Sequence, residues 1–203
     1  MNELNPTPRI LQVDMAGLPK KWISIEDAVL HYAKGSVLFE LGNPVTTYRG
    51  GMNRLTHTQS QITTNSIIGI RGTVIRKADM ERVPNLTNEK LFERDRHLCA
   101  YCGDVFSDKE LSRDHIKPVC QGGKNIWNNV VTACKKCNSD KGGRTLEQAK
   151  MKLIYLPYTP DRYESFILSQ GTRRILADQM EFLLQKVPQN SRLKGLLMPS
   201  DVK

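Results

Sequence analysis

Long hydrophobic runs are missing from this 203-residue chain. No segment approaches the roughly 18 consecutive apolar residues of a membrane span, which excludes a helical membrane protein. The opening, MNELNPTPRIL, has no basic stretch leading into an apolar one, so no secretory signal is expected. Internal repeats and low-complexity runs are also missing, which argues against a solenoid or a biased tail. Aromatic residues are scarce at 6%, whereas 39% hydrophobic and 25% charged residues describe an ordinary soluble globular chain. Disulfide chemistry is not expected either. Five cysteines is an odd number, and four of them fall in Cys-x-x-Cys pairs, which points to metal and a reducing, cytoplasmic compartment. Cys120 is left over as an ordinary thiol near those pairs.

A separate basic tail is absent as well. The net charge is +9 and the isoelectric point near 9.4, which favours an anionic partner. Yet residues 1–88, 89–144 and 145–203 each carry a net +3. Any nucleic-acid surface must therefore be assembled by folding. A mildly basic, solvated surface is the plainer reading of the same charge.

What is present is concentrated between Cys99 and Asn138. Two knuckles, Cys99/Cys102 and Cys134/Cys137, bracket the pair Asp114-His115 and are followed at once by Asn138. Each knuckle sets two thiolates on a tight turn, and two knuckles together supply the four soft sulfurs of a tetrahedral structural zinc. His97 is a competing ligand by position, but four thiolates already fill the coordination sphere. His31 and His57 have no such constellation around them.

Patterning gives a mixed α+β chain. Ile10 to Val13 reads as a strand, Gly17-Leu18-Pro19 as a turn, and Ile25 to Ala33 as a helix capped by Ser24 with Gly35 beyond its end. Ser36–Leu41 and Val45–Tyr48 read as two strands separated by the turn Gly42-Asn43-Pro44, with Ser66–Val74 as a further strand. Residues 78–87 are the linker. Leu91–Arg96 is a short helix, Leu111–Ile116 and Val130–Thr132 are strands, and Cys137 or Asn138 opens a helix that Gly142-Gly143 ends. Thr145 and Gln148 form a capping box for a helix to about Leu153. Pro157 and Pro160 break the chain. Ile175, Leu176, Gln179, Met180, Leu183 and Leu184 make a helical stripe, read as core, with a homodimer contact as the alternative. Residues 189–203 read as a loose tail. The expected organisation is an N-terminal α+β segment (1–80), a central domain (88–153) and a C-terminal helical extension (154–203).

The runs CAYCG, SRDHIKPVCQGG and WNNVVTACKKCNSDKGGR resemble the HNH endonucleases with a four-cysteine zinc. The three motif positions fall on His115, Asn129 and Asn138, with asparagine in the third place as in the HNH domains of RNA-guided nucleases. The resemblance runs from about Leu91 to Leu146. It implies a zinc-stapled ββα-metal module that cuts nucleic acid, leaving 5′-phosphate and 3′-hydroxyl ends.

The chemistry asks for such residues independently. An imidazole can take a proton from water near neutral pH, which makes His115 the natural general base. Asn138 offers a neutral amide oxygen, suited to Mg²⁺ or Mn²⁺ rather than zinc, although it could equally cap its helix. Asp114, next to His115 on a strand, faces the other way unless the strand ends there. The resemblance implies that it does, with Asp114 binding the hard ion, and that Asn129 orients the loop around His115. Lys117, Lys124, Lys135, Lys136, Lys141 and Arg144 are candidate phosphate contacts, or simply solvated. The expected function is metal-dependent DNA cleavage. RNA cleavage at the same site, and a zinc-organised nucleic-acid binder that does not cut, are the alternatives.

Overall fold

The computed structural model describes residues 7–72, 74–171, 174–189, 191, 193 and 194. In chain order its first elements are β1 (Ile10–Val13), β2 (Pro19–Ile23), α1 (Ile25–Ala33), β3 (Val37–Met52), β4 (Gln59–Ile70) and α2 (Lys77–Met80). There follow α3 (Asn88–Arg94), β5 (Leu111–His115), β6 (Val130–Cys134), α4 (Lys135–Lys141), α5 (Leu146–Ala149), α6 (Arg162–Gln170) and α7 (Ala177–Leu184). They divide into two units, Met1–Glu81 with Arg173–Pro188 and Arg82–Thr172 with Gln189–Lys203. The chain is therefore α+β, and its C-terminal stretch is shared, with α6 in the second unit and α7 in the first. No helix among the described residues is long and apolar enough to cross a membrane. The expected tail at 189–203 falls almost wholly outside the described residues.

In the first unit a four-stranded sheet runs in the order β2-β1-β4-β3, with β1 parallel to β4 and the other pairs antiparallel. Helix α1 has the bounds its cap signals predict: the Ser24 hydroxyl accepts from Asp27 N, and Gly35 beyond the end takes φ +62°. Its apolar side packs Ile25 and Ala28 against Ile10, Ile23 and Ile68. Two expectations are corrected here. Ser36–Leu41 and Val45–Tyr48 are not separate strands but parts of the single strand β3. The residues read as a turn form an irregularity within it, with Gly42 at φ +72°. A Cβ at Gly42 would collide with Ser66 Oγ and the Asp178 carboxylate. The partner strand is Gln59–Ile70, which begins earlier and ends sooner than the Ser66–Val74 stretch expected. Pro19–Ile23 adds a strand beside the turn. Helix α7 closes the unit, burying Leu183 and Leu184, while Gln179 Nε2 donates to the carbonyls of Arg9 and Ser66 at 2.8 and 2.7 Å. The apolar stripe is thus core within this unit.

The second unit has a small apolar core, Leu91, Phe92, Leu111, Trp127 and Val130, with Leu86 and Phe106 packed against it. Its strands β5 and β6 pair antiparallel, His115 opposite Val130 and Leu111 opposite Cys134, and α4 follows directly. Strand, strand and helix come in the expected order. Helix α5 is shorter than expected: the Thr145–Gln148 capping box forms, but Lys150 turns left-handed at φ +54° and ends it. Helix α6 lies in the expected C-terminal helical extension, though the sequence pattern places no helix at these residues, and opens on a second capping box between Asp161 and Glu164.

A buried ion pair ties this unit together. Arg94 and Asp95 are both fully enclosed, with Nε donating to Oδ1 at 2.8 Å and Nη2 to Oδ2 at 2.9 Å. The remaining donors of Arg94 reach the carbonyls of Trp127, Tyr158 and Val130 at 2.8–2.9 Å. Asp95 Oδ2 also accepts from Thr132 N at 2.9 Å. Every polar atom of the pair is therefore used, which is the condition under which a buried charge is tolerated. Asp95→Asn keeps the shape and removes the charge, leaving Arg94 uncompensated. Urea unfolding should show a loss of about 3 kcal/mol or more, whereas removing the exposed Arg76–Asp79 pair should leave the midpoint in place.

Candidate metal centre and active site

The two knuckles meet. The sulfurs of Cys99, Cys102, Cys134 and Cys137 all lie within 4.8 Å of one another. Turn chemistry brings this about. In the first knuckle Gly103, at φ +81°, donates to the Cys99 carbonyl, and Cys99 N donates to the Asp104 carbonyl. In the second, Cys134 caps α4 and its sulfur accepts from Cys137 N at 3.4 Å. Ala100 N then bonds the Thr132 carbonyl, joining the first knuckle to β6. The sulfurs do not ionise alike: although burial raises Cys99, backbone hydrogen bonds from Cys102, Cys134 and Tyr101 hold it below the ordinary thiol range, and its neighbours are pushed the other way. Burial and the Cys99 sulfur push Cys102 up to about 11, and burial with the Cys134 sulfur raises Cys137 as well. A soft dication removes that difference, because it deprotonates its thiol ligands outright. Four converging sulfurs could thus hold zinc. His97 is not part of the cage; its Nε2 meets Asp108 Oδ1 at 2.7 Å.

At the end of β5, Asp114 and His115 part company. Asp114 turns inward and is buried, with Oδ1 accepting from Lys141 Nζ at 2.9 Å and Oδ2 from the Tyr101 hydroxyl. The same Lys141 ammonium donates to the His115 carbonyl at 2.7 Å. Burial and the neighbouring Asp114 carboxylate hold the Tyr101 hydroxyl far above its ordinary pKa, so it stays a donor. The His115 ring is half-buried, and its Nε2 lies 3.2 Å from Asn125 Oδ1, which also accepts from Arg113 Nη1 at 2.8 Å. Arg113 has a guanidinium depressed below its ordinary pKa by desolvation, and its Nε is buried without a hydrogen-bond partner.

The two asparagines of the motif are both engaged. Asn129 Oδ1 accepts from Lys117 N at 2.9 Å, and its Nδ2 donates to the carbonyls of Lys117 and Lys124. It closes the loop that follows His115, while its own carbonyl accepts from Ile116 N. Asn138 spends its Nδ2 on Ser112 Oγ at 2.9 Å and the Arg113 carbonyl at 3.3 Å, which turns its amide oxygen away as the available donor atom. Asn138 does not cap α4; Cys134 does. The donor set, a carboxylate with spare lone pairs and a free amide oxygen, fits a hard oxygen-seeking cation. In this structure, however, the counter-charge of Asp114 is Lys141.

Of the basic residues singled out, Lys117, Lys124, Lys135, Lys136 and Arg144 are exposed. Lys141 is not on that surface: it is fully enclosed beside Asp114. Arg144 bonds the carbonyls of Lys141 and Asp140 and so caps the end of α4. Tyr101, Arg113 and Asn125 escape a motif-based reading. Tyr101 lies inside the first knuckle and Arg113 beside Asp114, but neither has a spacing that announces a role.

Residues 99–154 match the HNH endonuclease family. Over 51 residues the chain is 39% identical to the CRISPR-associated endonuclease Cas9 of Corynebacterium diphtheriae. That stretch is 25% of this chain and 5% of the relative, so the likeness belongs to the segment alone. The segment is an HNH module. It accounts for the second unit's strands, α4 and the sulfur cage, and for nothing in the first unit.

Lys141→Met tests the inward arrangement. Loss of the ammonium leaves the Asp114 carboxylate enclosed and unpaired, which should cost roughly 3 kcal/mol or more. Added Mg²⁺ should recover part of the melting temperature in this variant and raise the parent chain less. A variant that melts with the parent contradicts the assignment of Lys141 as the internal counter-charge.

Proposed function

We propose that the chain is a metal-dependent endonuclease that hydrolyses DNA phosphodiester bonds to 5′-phosphate and 3′-hydroxyl ends. The observation that carries this reading is His115, held at the end of β5 within a segment that matches HNH endonucleases. The hydrogen-bond network supports this reading of the ring. Asn125 Oδ1 already accepts from Arg113, so it faces His115 Nε2 as an acceptor, and the neutral imidazole keeps its proton there. Nδ1 then carries the lone pair that removes a proton from water. The resulting hydroxide attacks phosphorus, the P–O3′ bond breaks, and the leaving oxygen takes a proton from solvent.

Asp114 and Asn138 are the residues that would hold Mg²⁺ or Mn²⁺. Such an ion supplies charge neutralisation at phosphorus and at the departing oxyanion. Asn129 fixes the loop 117–124, which keeps the exposed Lys117 and Lys124 at one place beside His115. Lys135 and Lys136 at the start of α4 add exposed positive charge. A binder that does not cut has no use for an imidazole oriented by Asn125, and this disfavours that alternative.

The test is incubation with supercoiled plasmid and with structured RNA, with and without Mg²⁺. Nicked or linear plasmid in Mg²⁺ alone is the expected outcome. His115→Ala should lower turnover by about 10² to 10⁴, the usual contribution of a positioned base. Its gel-shift affinity at matched salt should be unchanged, because the variant keeps every one of the exposed basic residues. Cleavage near the parent rate would place the base elsewhere, and RNA cleavage alone would replace DNA as substrate.

A further inference from the structure

The ribbon formed by β3 and β4 in the first unit is left unused by the HNH reading. Among the described residues β1 pairs with β4 from Ile67 to Gly69, and from Pro44/Asn65 outward the two strands have no third strand beside them. That outer part continues to the turn at Asn53–Thr58, roughly 20 Å of antiparallel ribbon at about 3.3 Å per residue. Residues 47–61 are exposed without exception. An isolated two-stranded ribbon is marginal in water, and this one gains little from burial.

Its surface chemistry is one-sided. No Asp or Glu occurs between Glu40 and Asp79, whereas Arg49 and Arg54 lie on the outer ribbon. Thr47 is opposite Thr63 and Arg49 opposite Gln61, so these four side chains share a face. All four are exposed, and the two threonine hydroxyls bond each other at 2.9 Å. The other face carries Thr46, Ile62 and Thr64, which are half-buried or buried. The outward face therefore offers a guanidinium, an amide and hydroxyls, the groups that read base edges. Leu55, at the tip, is 92% exposed. Irregular pairing between Arg49 and Met52 adds twist near the tip.

From this we infer that the β3–β4 ribbon is a DNA-binding arm that lies in the major groove of B-form duplex. That groove, about 12 Å wide, admits a two-stranded ribbon, while the deep, narrow groove of A-form RNA does not. Arg49 and Arg54 meet phosphates or guanine edges, Gln61 and the threonines meet base edges, and Leu55 meets a thymine methyl group. The inference rests on the reading of the chain as a DNA-cutting enzyme and narrows its substrate to duplex DNA.

The experiment measures affinity for a 30-base-pair DNA duplex by fluorescence anisotropy over a range of salt, using the full chain carrying His115→Ala to prevent cutting. Arg49→Gln with Arg54→Gln should weaken binding on the order of tenfold and reduce the slope of log K against log[salt] by about 2. Lys34→Gln with Lys186→Gln removes the same charge from elsewhere in this unit and should change both far less. Replacing residues 49–61 by Asn-Gly, which removes both arginines and joins the pair Tyr48 and Ile62 by a two-residue turn, should reproduce the double-arginine loss without lowering the melting temperature. Equal losses in the two double variants, or unchanged DNA affinity in the ribbon variants, overturn the inference. So does an equal loss of affinity for duplex RNA. Cleavage by the chain with His115 intact is scored separately. A parent chain that cuts while the ribbon variants bind normally refutes the arm and keeps the nuclease. A parent chain that cuts nothing while the ribbon variants bind weakly does the reverse.

Discussion

The convergence of four sulfurs within 4.8 Å is the constraint on which the second unit depends. Its apolar core is small, and β5 and β6 form only a two-stranded sheet, which is marginal in water without further support. The knuckles supply that support at both ends of the segment. Cys134 ends β6 and caps α4, while the first knuckle is bonded to Thr132 through Ala100. A metal at the cage would thereby fix β6, whose pairing sets the register of β5 and the position of His115. Site geometry in so small a unit follows from a staple rather than from bulk packing.

Two buried ion pairs act beside it, and they differ in kind. Arg94–Asp95 uses every donor and acceptor it has, and spans α3, β6 and the chain at Trp127 and Tyr158. It is structural. Lys141–Asp114 leaves the carboxylate with lone pairs to spare and ties the end of α4 to the His115 carbonyl. A charge placed there serves position: the ammonium holds the strand end through the Asp114 carboxylate and the His115 carbonyl together.

Local signals in the sequence were legible, and long-range ones were not. Ser24 and Gly35 bound α1, and the spacing of the four cysteines and of His115, Asn129 and Asn138 is readable, because these signals lie within a few residues or recur in a motif. Strand β3 reads as two strands in the sequence because Gly42-Asn43-Pro44 has turn composition. What makes it an irregularity is Ser66 and Asp178, both distant in sequence. Helix α6 carries its capping box openly in Asp161 and Glu164, but the prolines just before it mask the start. Lys141 looks like a surface lysine on a short polar helix. Only the fold, by bringing Asp114 under α4, shows it to be enclosed. Asn125 has no sequence signal; its role follows from meeting Arg113 and His115 at once.

The central claim is that a thiolate-bound metal holds the HNH segment in shape. X-ray absorption at the zinc edge of the purified full chain tests it most directly. The account predicts one zinc per chain with a first shell of about four sulfurs at about 2.3 Å. A shell containing nitrogen or oxygen ligands, or a folded chain with no zinc bound, would contradict it.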